Sequence, residues 1–105
     1  MKEVKITDKG ESLVAALTCE IDHHTAKIIR EEIDKRLENS HACVLVLDFS
    51  GVGFMDSSGI GLILGRVSRA EELGKRVHLC GLSPTLSRLV RMSGIERLKS
   101  ITVEV

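Results

Sequence analysis

The most informative stretch of the sequence is FMDSSGIGLI, residues 54–63. It places two serines beside an aspartate, where a buried strand has ended and a glycine-rich helix begins. Backbone N–H groups and the helix dipole favour negative charge at the N-terminus of a helix. A serine held there and facing solvent is suited to carry a phosphate group.

Strands and helices alternate on both sides of this stretch, which predicts an α/β domain with the order ββαβαβαβ. Helices between buried strands require crossovers, so we expect a mixed β-sheet with helices packed on it. The predicted elements are a β-hairpin within residues 4–17, a helix that ends at Asn39-Ser40, a strand at 44–47, a helix from Ser57 or Ser58 to Leu73, a strand at 77–80, a helix between Ser83-Pro84 and Gly94, and a strand through Ile101, Val103 and Val105.

The apolar residues of the second helix predict which of its faces is buried. Leu62 lies off the predicted stripe, and an exposed leucine there is suited to contact a partner. The strand at 44–47 is continuously apolar, which is typical of a central strand covered on both faces. The predicted stripe consists of Ile60, Ile63, Leu64, Val67 and Ala70.

Composition predicts one domain, residues 1–105, without a nucleic-acid or membrane partner. The 15 basic and 15 acidic residues give a net charge of zero, so the chain has no excess positive charge to attract nucleic acid or an anionic bilayer. The first residues lack the apolar region of a signal peptide, and no apolar run reaches membrane-spanning length. We therefore expect a cytoplasmic protein.

The sequence indicates neither a metal site nor a cofactor. Cys19, Cys43 and Cys80 are far apart and odd in number, which is typical of buried, reduced thiols in a cytosolic protein. No ligand spacing for a metal and no lysine-bearing phosphate loop is present.

Glycines give the second helix one smooth face. Each glycine inside a helix lowers the stability of that helix by about 1 kcal/mol relative to alanine. The presence of Gly59, Gly61 and Gly65 in the second helix therefore requires an explanation. Gly61 and Gly65 share a face with Ser57 and Ser58. That face allows another backbone to approach closely, and the approaching element is either the protein's own sheet or a partner.

Simpler roles exist for the polar residues. Asp56 fits the N-cap position, and either serine could also cap the helix. A helix start has one N-cap residue, so capping explains only one of the three. A serine nucleophile needs an oriented base, and nothing in the sequence places His23 or His24 against Ser57. The two histidines are adjacent, so their side chains diverge. They are typical of solvated residues at the start of a helix or of a partner contact.

The chain resembles the anti-sigma factor antagonists, which are small STAS domains (sulphate transporter and anti-sigma antagonist), and most closely the sporulation type that counters the sigma F anti-sigma kinase. The resemblance implies a STAS fold, in which the usual C-terminal helix after the final strand is apparently absent here. The matching segments are residues 20–26, 54–61, 63–66, 83–89 and 92–95.

The resemblance implies a partner-switching cycle that regulates transcription. The unphosphorylated antagonist binds an anti-sigma factor serine kinase and frees the sigma factor. The kinase then phosphorylates the serine directly after the motif aspartate, Ser57, which releases the antagonist, and a PP2C-type phosphatase restores it. The protein is then a substrate and binding module rather than an enzyme, and we expect a monomer or weak dimer.

Further residues take supporting roles in this interpretation. Asp56, Ser58 and Gly59 belong to the switch loop and helix N-terminus. Two alternatives stay open: a STAS scaffold or regulatory module of a sensory complex or transporter, and a nucleotide-binding STAS protein. The predicted partner contacts are Asp22, His23, His24, Thr25, Gly61, Leu62 and Gly65.

Overall fold

A computed structural model describes residues 3–104 and contains the predicted succession of elements. A short 3₁₀ turn, Ile95–Arg97, was not predicted. Met1, Lys2 and Val105, the last of which was predicted in the final strand, lie outside the described residues. The elements are β1 Val4–Asp8, β2 Ser12–Leu17, α1 His23–Glu38, β3 Val44–Asp48, α2 Ser57–Glu72, β4 Arg76–Cys80, α3 Pro84–Ser93 and β5 Ile101–Val103.

The five strands form one mixed sheet in the order β1-β2-β3-β4-β5. β1 and β2 are antiparallel, and Gly10 has the positive φ of 87° that their turn requires. The other three pairs are parallel, and each parallel step is bridged by one of the three helices. The predicted mixed sheet with crossover helices is therefore confirmed.

Only one face of this sheet is fully buried. In β3, Leu45 and Leu47 are buried, whereas Val44 and Val46 on the opposite face are half-buried. The prediction that this strand is covered on both faces is therefore wrong. The three crossovers step in the same direction along the sheet, and right-handed crossovers of that kind place their helices on the same face.

The termini of α3 follow the local signals in the sequence. The Ser83 hydroxyl accepts a hydrogen bond from the Leu86 backbone N–H at 3.2 Å, and Pro84 occupies the first helical position. Gly94 ends the helix in the left-handed conformation, with φ of 81°. Within residues 3–104, no helix has both the length and the apolar character needed to cross a membrane.

The buried face of α2 differs from the predicted stripe. Leu62 is 4% exposed and belongs to the core, whereas Leu64 is 44% exposed, so both predictions were wrong. Ile60 is half-buried. Apolar residues occupy more than one side of α2, and the helix is rotated so that Leu62 and Arg66 are both buried.

The prediction of three buried cysteines was also wrong. Cys43 is exposed, and Cys19 and Cys80 are half-buried. Cys80 lies on the sheet face opposite Leu79, which explains its partial exposure. Burial is the main cause that raises the pKa of the Cys19 and Cys80 thiols.

Candidate functional site

The segments that lead into α1 and α2 run side by side. Ile21 and Met55 form a parallel β-bridge. The Ile21 N–H donates to the Phe54 carbonyl at 3.0 Å, and the Asp56 N–H donates to the Ile21 carbonyl at 3.2 Å. The two helices therefore begin next to each other, and the loop carrying Asp22 flanks the serine loop.

The N-terminus of α1 is closed by a capping box. Asp22 Oδ1 accepts the backbone N–H groups of His24 and Thr25, both at 2.9 Å, and the Asp22 N–H donates to Thr25 Oγ1 at 3.0 Å. The Thr25 N–H is the main cause that lowers the pKa of the Asp22 carboxyl. Asp22 and Thr25, both predicted as partner contacts, are thus engaged in forming the helix.

The N-terminus of α2 is more open. Asp56 Oδ1 accepts the Ser58 N–H at 2.8 Å, and the Gly59 N–H donates to the Asp56 carbonyl at 2.9 Å. Ser57 is exposed, and neither its hydroxyl nor its backbone N–H has a partner within residues 3–104. An exposed hydroxyl therefore lies beside an unpaired donor at the positive end of a helix dipole.

The glycines of α2 divide into two kinds. A Cβ atom on Gly59 would lie 2.5 Å from Met55 Sδ, so this glycine permits the contact between α2 and the loop before it. A Cβ atom on Gly61 or Gly65 would have no neighbour within 4 Å. The face carrying Gly61 and Gly65 therefore lies away from the protein's own sheet, and the approach of an external partner to it stays a prediction.

That face forms one wall of a groove between α1 and α2, which we call the α1–α2 groove. Its volume is about 490 Å³. His24 does not line it and is exposed. Leu62 lies in it as a buried residue rather than as a projecting contact. The lining residues are His23, Ala26, Lys27 and Arg30 from α1, and Ser58, Gly61, Leu62, Gly65 and Arg66 from α2.

An ion pair joins the two helices beside this groove. Arg66 is 4% exposed, and its Nε lies 2.8 Å from Asp34 Oδ1, an ionic contact without the alignment of a hydrogen bond. Arg66 Nη2 donates to Asp34 Oδ2 at 3.1 Å. We missed Arg66, Lys27 and Arg30 in the sequence because nothing local shows that basic residues of two separate helices meet.

A second, apolar groove of about 260 Å³ lies between residues 53–55 and α3. Phe54, at 54% exposure, and Met92, at 79% exposure, lie at its surface. Neither residue was predicted to line a groove. No local signal marks them, because the packing of the whole domain decides whether an apolar side chain at such a position is buried.

The structure gives no geometry for a catalytic serine. His23 and Ser58 both line the α1–α2 groove, but no hydrogen bond joins a histidine to a serine within the described residues. Among residues 3–104, no three His, Cys, Asp or Glu side chains are grouped to hold a metal ion.

Comparisons with known proteins agree with this architecture. Residues 3–104 match the STAS domain family. The anti-sigma F factor antagonist of Paenibacillus polymyxa is 35% identical over 89 residues, which are 85% of this chain and 76% of that protein.

Two solved structures that carry the name SpoIIAA are similar as well. SpoIIAA in its unphosphorylated form has a TM-score of 0.80 and 29% identity, and the match covers 97% of this chain and 88% of that one. The Bacillus cell fate determinant SpoIIAA in its phosphorylated form has a TM-score of 0.73 and 29% identity, with 97% and 91% covered. The resemblance drawn from the sequence is confirmed, and the chain belongs to the STAS domain family, among its anti-sigma factor antagonists.

Proposed function

We propose that the binding of this anti-sigma factor antagonist to an anti-sigma factor kinase is switched by phosphorylation of Ser57. The observation that carries the proposal is the exposed, unpartnered Ser57 hydroxyl at the first position of α2. The names of its relatives support the same function: anti-sigma F factor antagonist for one, and a determinant solved in a phosphorylated form for another.

The position of Ser57 suits a phosphate that leaves the fold intact. A phosphoserine adds about −1.5 to −2 charges. At the first turn of α2, the helix dipole and the free Ser57 N–H favour that charge. Because Ser57 is exposed, no core packing has to change when the phosphate is added. We therefore expect the phosphorylated protein to stay folded.

The same phosphate would weaken a close interface. It would place a dianion beside the Asp56 carboxylate and the kinase's nucleotide phosphates, at one end of the glycine-lined groove. A loss of about 4 kcal/mol of binding free energy changes an affinity about a thousandfold. Phosphorylation can therefore release the partner without unfolding either protein.

Ser57 is a better phosphate acceptor than its neighbour Ser58. Ser58 is half-buried, lines the α1–α2 groove, and donates its N–H to the Asp56 cap. We assign Asp56, Ser58 and Gly59 to the shape of the switch loop, and Gly61 with Gly65 to the surface a partner approaches.

The flanking helix start and the partners complete the proposal. Asp22 and Thr25 fix that start, and His23 and His24 present their exposed side chains beside it. In this cycle the chain is a cytoplasmic substrate and binding module, monomeric or weakly dimeric, and not a catalyst. A serine kinase adds the phosphate, and a PP2C-type phosphatase removes it.

The test is the intact mass of the protein after incubation with ATP and the anti-sigma factor kinase of its own organism. The variants are Ser57→Ala and the matched Ser58→Ala. We expect a single phosphate on the wild type and on Ser58→Ala, and none on Ser57→Ala.

Other outcomes are equally informative. A phosphate retained by Ser57→Ala and lost from Ser58→Ala would move the site to Ser58. No phosphate on any variant, with a kinase active on a control substrate, would favour the scaffold or transporter type of STAS domain.

A further inference from the structure

The α1–α2 groove concentrates positive charge that the phosphorylation of Ser57 does not by itself explain. Lys27, Arg30 and Arg66 line it, and none of its lining residues is acidic. The whole chain has 15 basic and 15 acidic residues, so this charge arises from the local arrangement and not from composition. Such a surface attracts a partner of opposite charge.

Arg66 has unused capacity to donate a hydrogen bond. Two of its nitrogens contact the Asp34 carboxylate, but Nη1 is buried and has no acceptor within the described residues. A buried donor without an acceptor is costly, and native structures leave few of them. Since Arg66 lines the groove, a small displacement of its side chain would bring Nη1 to an oxygen atom bound there.

The positive charges also act on one another. Burial is the main cause that lowers the pKa of Arg66; Asp34 opposes this effect, and the charge of Arg30 adds to it. Asp34 supplies one negative charge beside the three positive charges of Lys27, Arg30 and Arg66, so it does not neutralise the groove completely. A carboxylate bound between Arg30 and Arg66 would relieve their repulsion.

The glycines on the α2 wall of the groove leave room for a polypeptide backbone. No atom lies within 4 Å of where a Cβ atom would be on Gly61 or Gly65. A segment lying against these glycines can approach the helix closely and direct its side chains toward the basic residues of α1.

We propose that the α1–α2 groove receives an acidic segment of the anti-sigma factor partner. Lys27 and Arg30 pair with its carboxylates at the exposed rim, and Arg66 donates to one carboxylate oxygen inside. This inference rests on the proposed function and adds to it the chemistry of the surface that the partner presents next to Ser57.

The experiment compares the affinity of the kinase for wild type and for the double variant Lys27→Glu/Arg30→Glu. Binding is measured with ADP in place of ATP, so that Ser57 stays unmodified. Both substituted side chains are exposed, so the fold is expected to persist, which circular dichroism checks. We expect Kd to rise about tenfold or more, and the salt dependence of Kd to become weaker.

The matched control is Lys9→Glu/Arg91→Glu, which makes the same change in net charge in the hairpin turn and in α3, away from the groove. We expect its Kd to stay within about twofold of wild type. Equal affinities for the two double variants, with Ser57 still phosphorylated in both, would overturn the groove proposal and leave the proposed function standing.

Two other results would also overturn the inference. A wild-type chain that neither binds nor is phosphorylated by the kinase would remove the proposed function and this inference together. Binding of ATP or inorganic phosphate to the chain alone, lost in Lys27→Glu/Arg30→Glu while kinase affinity is unchanged, would assign the groove to a small anion instead.

Discussion

The N-termini of α1 and α2 lie side by side, and both are capped by an aspartate, yet they are built differently. At α1, the Asp22 carboxylate accepts two backbone N–H groups, and Thr25 closes the capping box by accepting the Asp22 N–H. At α2, the Asp56 carboxylate accepts one, and the Asp56 N–H donates to Ile21 instead. We call the start of α1 closed, because Asp22 and Thr25 bond to each other, and the start of α2 open, because no such reciprocal pair forms there.

The residue three places after the cap accounts for this difference. It is Thr25 in α1, whose hydroxyl reaches back to the cap, and Gly59 in α2, which has no side chain to do so. The absence of a side chain lets Met55 pack against α2. The first helical residue takes no part in the capping bonds of either helix; it is His23 in α1 and Ser57 in α2. Two positions therefore distinguish the helix starts: the third helical residue decides whether the capping box closes, and the first decides whether a hydroxyl is present.

The largest effect we expect comes from a permanent negative charge at position 57, in the open start of α2. Ser57→Glu should weaken kinase binding about a hundredfold, equivalent to about 2.7 kcal/mol, because a carboxylate lies in the interface. Its free energy of unfolding should stay the same or rise by a few tenths of a kcal/mol, because the helix dipole favours an acid there. Calorimetric binding and urea unfolding measure the two quantities.

Ser57→Gln is the matched control, since it adds the same bulk without the charge. It should lose less affinity than Ser57→Glu. If Ser57→Glu instead unfolds the protein, the start of α2 is not open in the sense described, and the comparison between the two helices fails.

A smaller effect separates the two kinds of glycine in α2. Gly59→Ala should lower the free energy of unfolding by about 1–3 kcal/mol, because its Cβ atom would lie 2.5 Å from the sulfur of buried Met55. Gly61→Ala should raise it by about 0.5–1 kcal/mol, because alanine favours the helix and meets no neighbour.

The same two glycine variants also test the role of the α1–α2 groove in kinase binding. Gly61→Ala should weaken kinase binding even though it stabilises the fold, because its methyl group enters the α1–α2 groove. Urea unfolding and binding in the presence of ADP test both statements. If Gly59→Ala and Gly61→Ala change the free energy of unfolding in the same direction, the division of the α2 glycines into two kinds is wrong.

The smallest effect concerns the closed start and appears only in acid. The pKa of Asp22 is lowered in the folded state, so the unfolded chain binds more protons as the pH falls. The stabilisation is complete above the ordinary aspartate pKa of about 3.9 and is lost as the pH falls through the lower folded value.

Asp22→Asn tests this dependence because asparagine is an equally good N-cap but does not titrate. Thermal unfolding from pH 7 to about pH 2 should show a smaller acid decrease of Tm in Asp22→Asn than in wild type. An equal decrease in both proteins would show that the Asp22 hydrogen bonds contribute nothing to the pH dependence.

Local chemistry made much of the fold predictable. Ser83-Pro84 and Gly94 bound a helix because each meets a requirement of the backbone at its own position. The exposed position of Ser57 was predicted in the same way, since an exposed hydroxyl at the start of a helix depends on only a few neighbouring residues. Burial was harder to predict, because Leu62 and Leu64 have the same chemistry and only packing distinguishes them.

The sequence by itself therefore determined the order of strands and helices, the caps, and the serine loop at the start of α2. Only the tertiary structure decided that the sheet buries one face, that Leu62 is core, and that Lys27 and Arg30 meet Arg66 in one groove. Caps and turns depend on residues within about one helical turn of each other. The rotation of a helix and the meeting of two helices depend on the packing of the whole core, which no local pattern specifies.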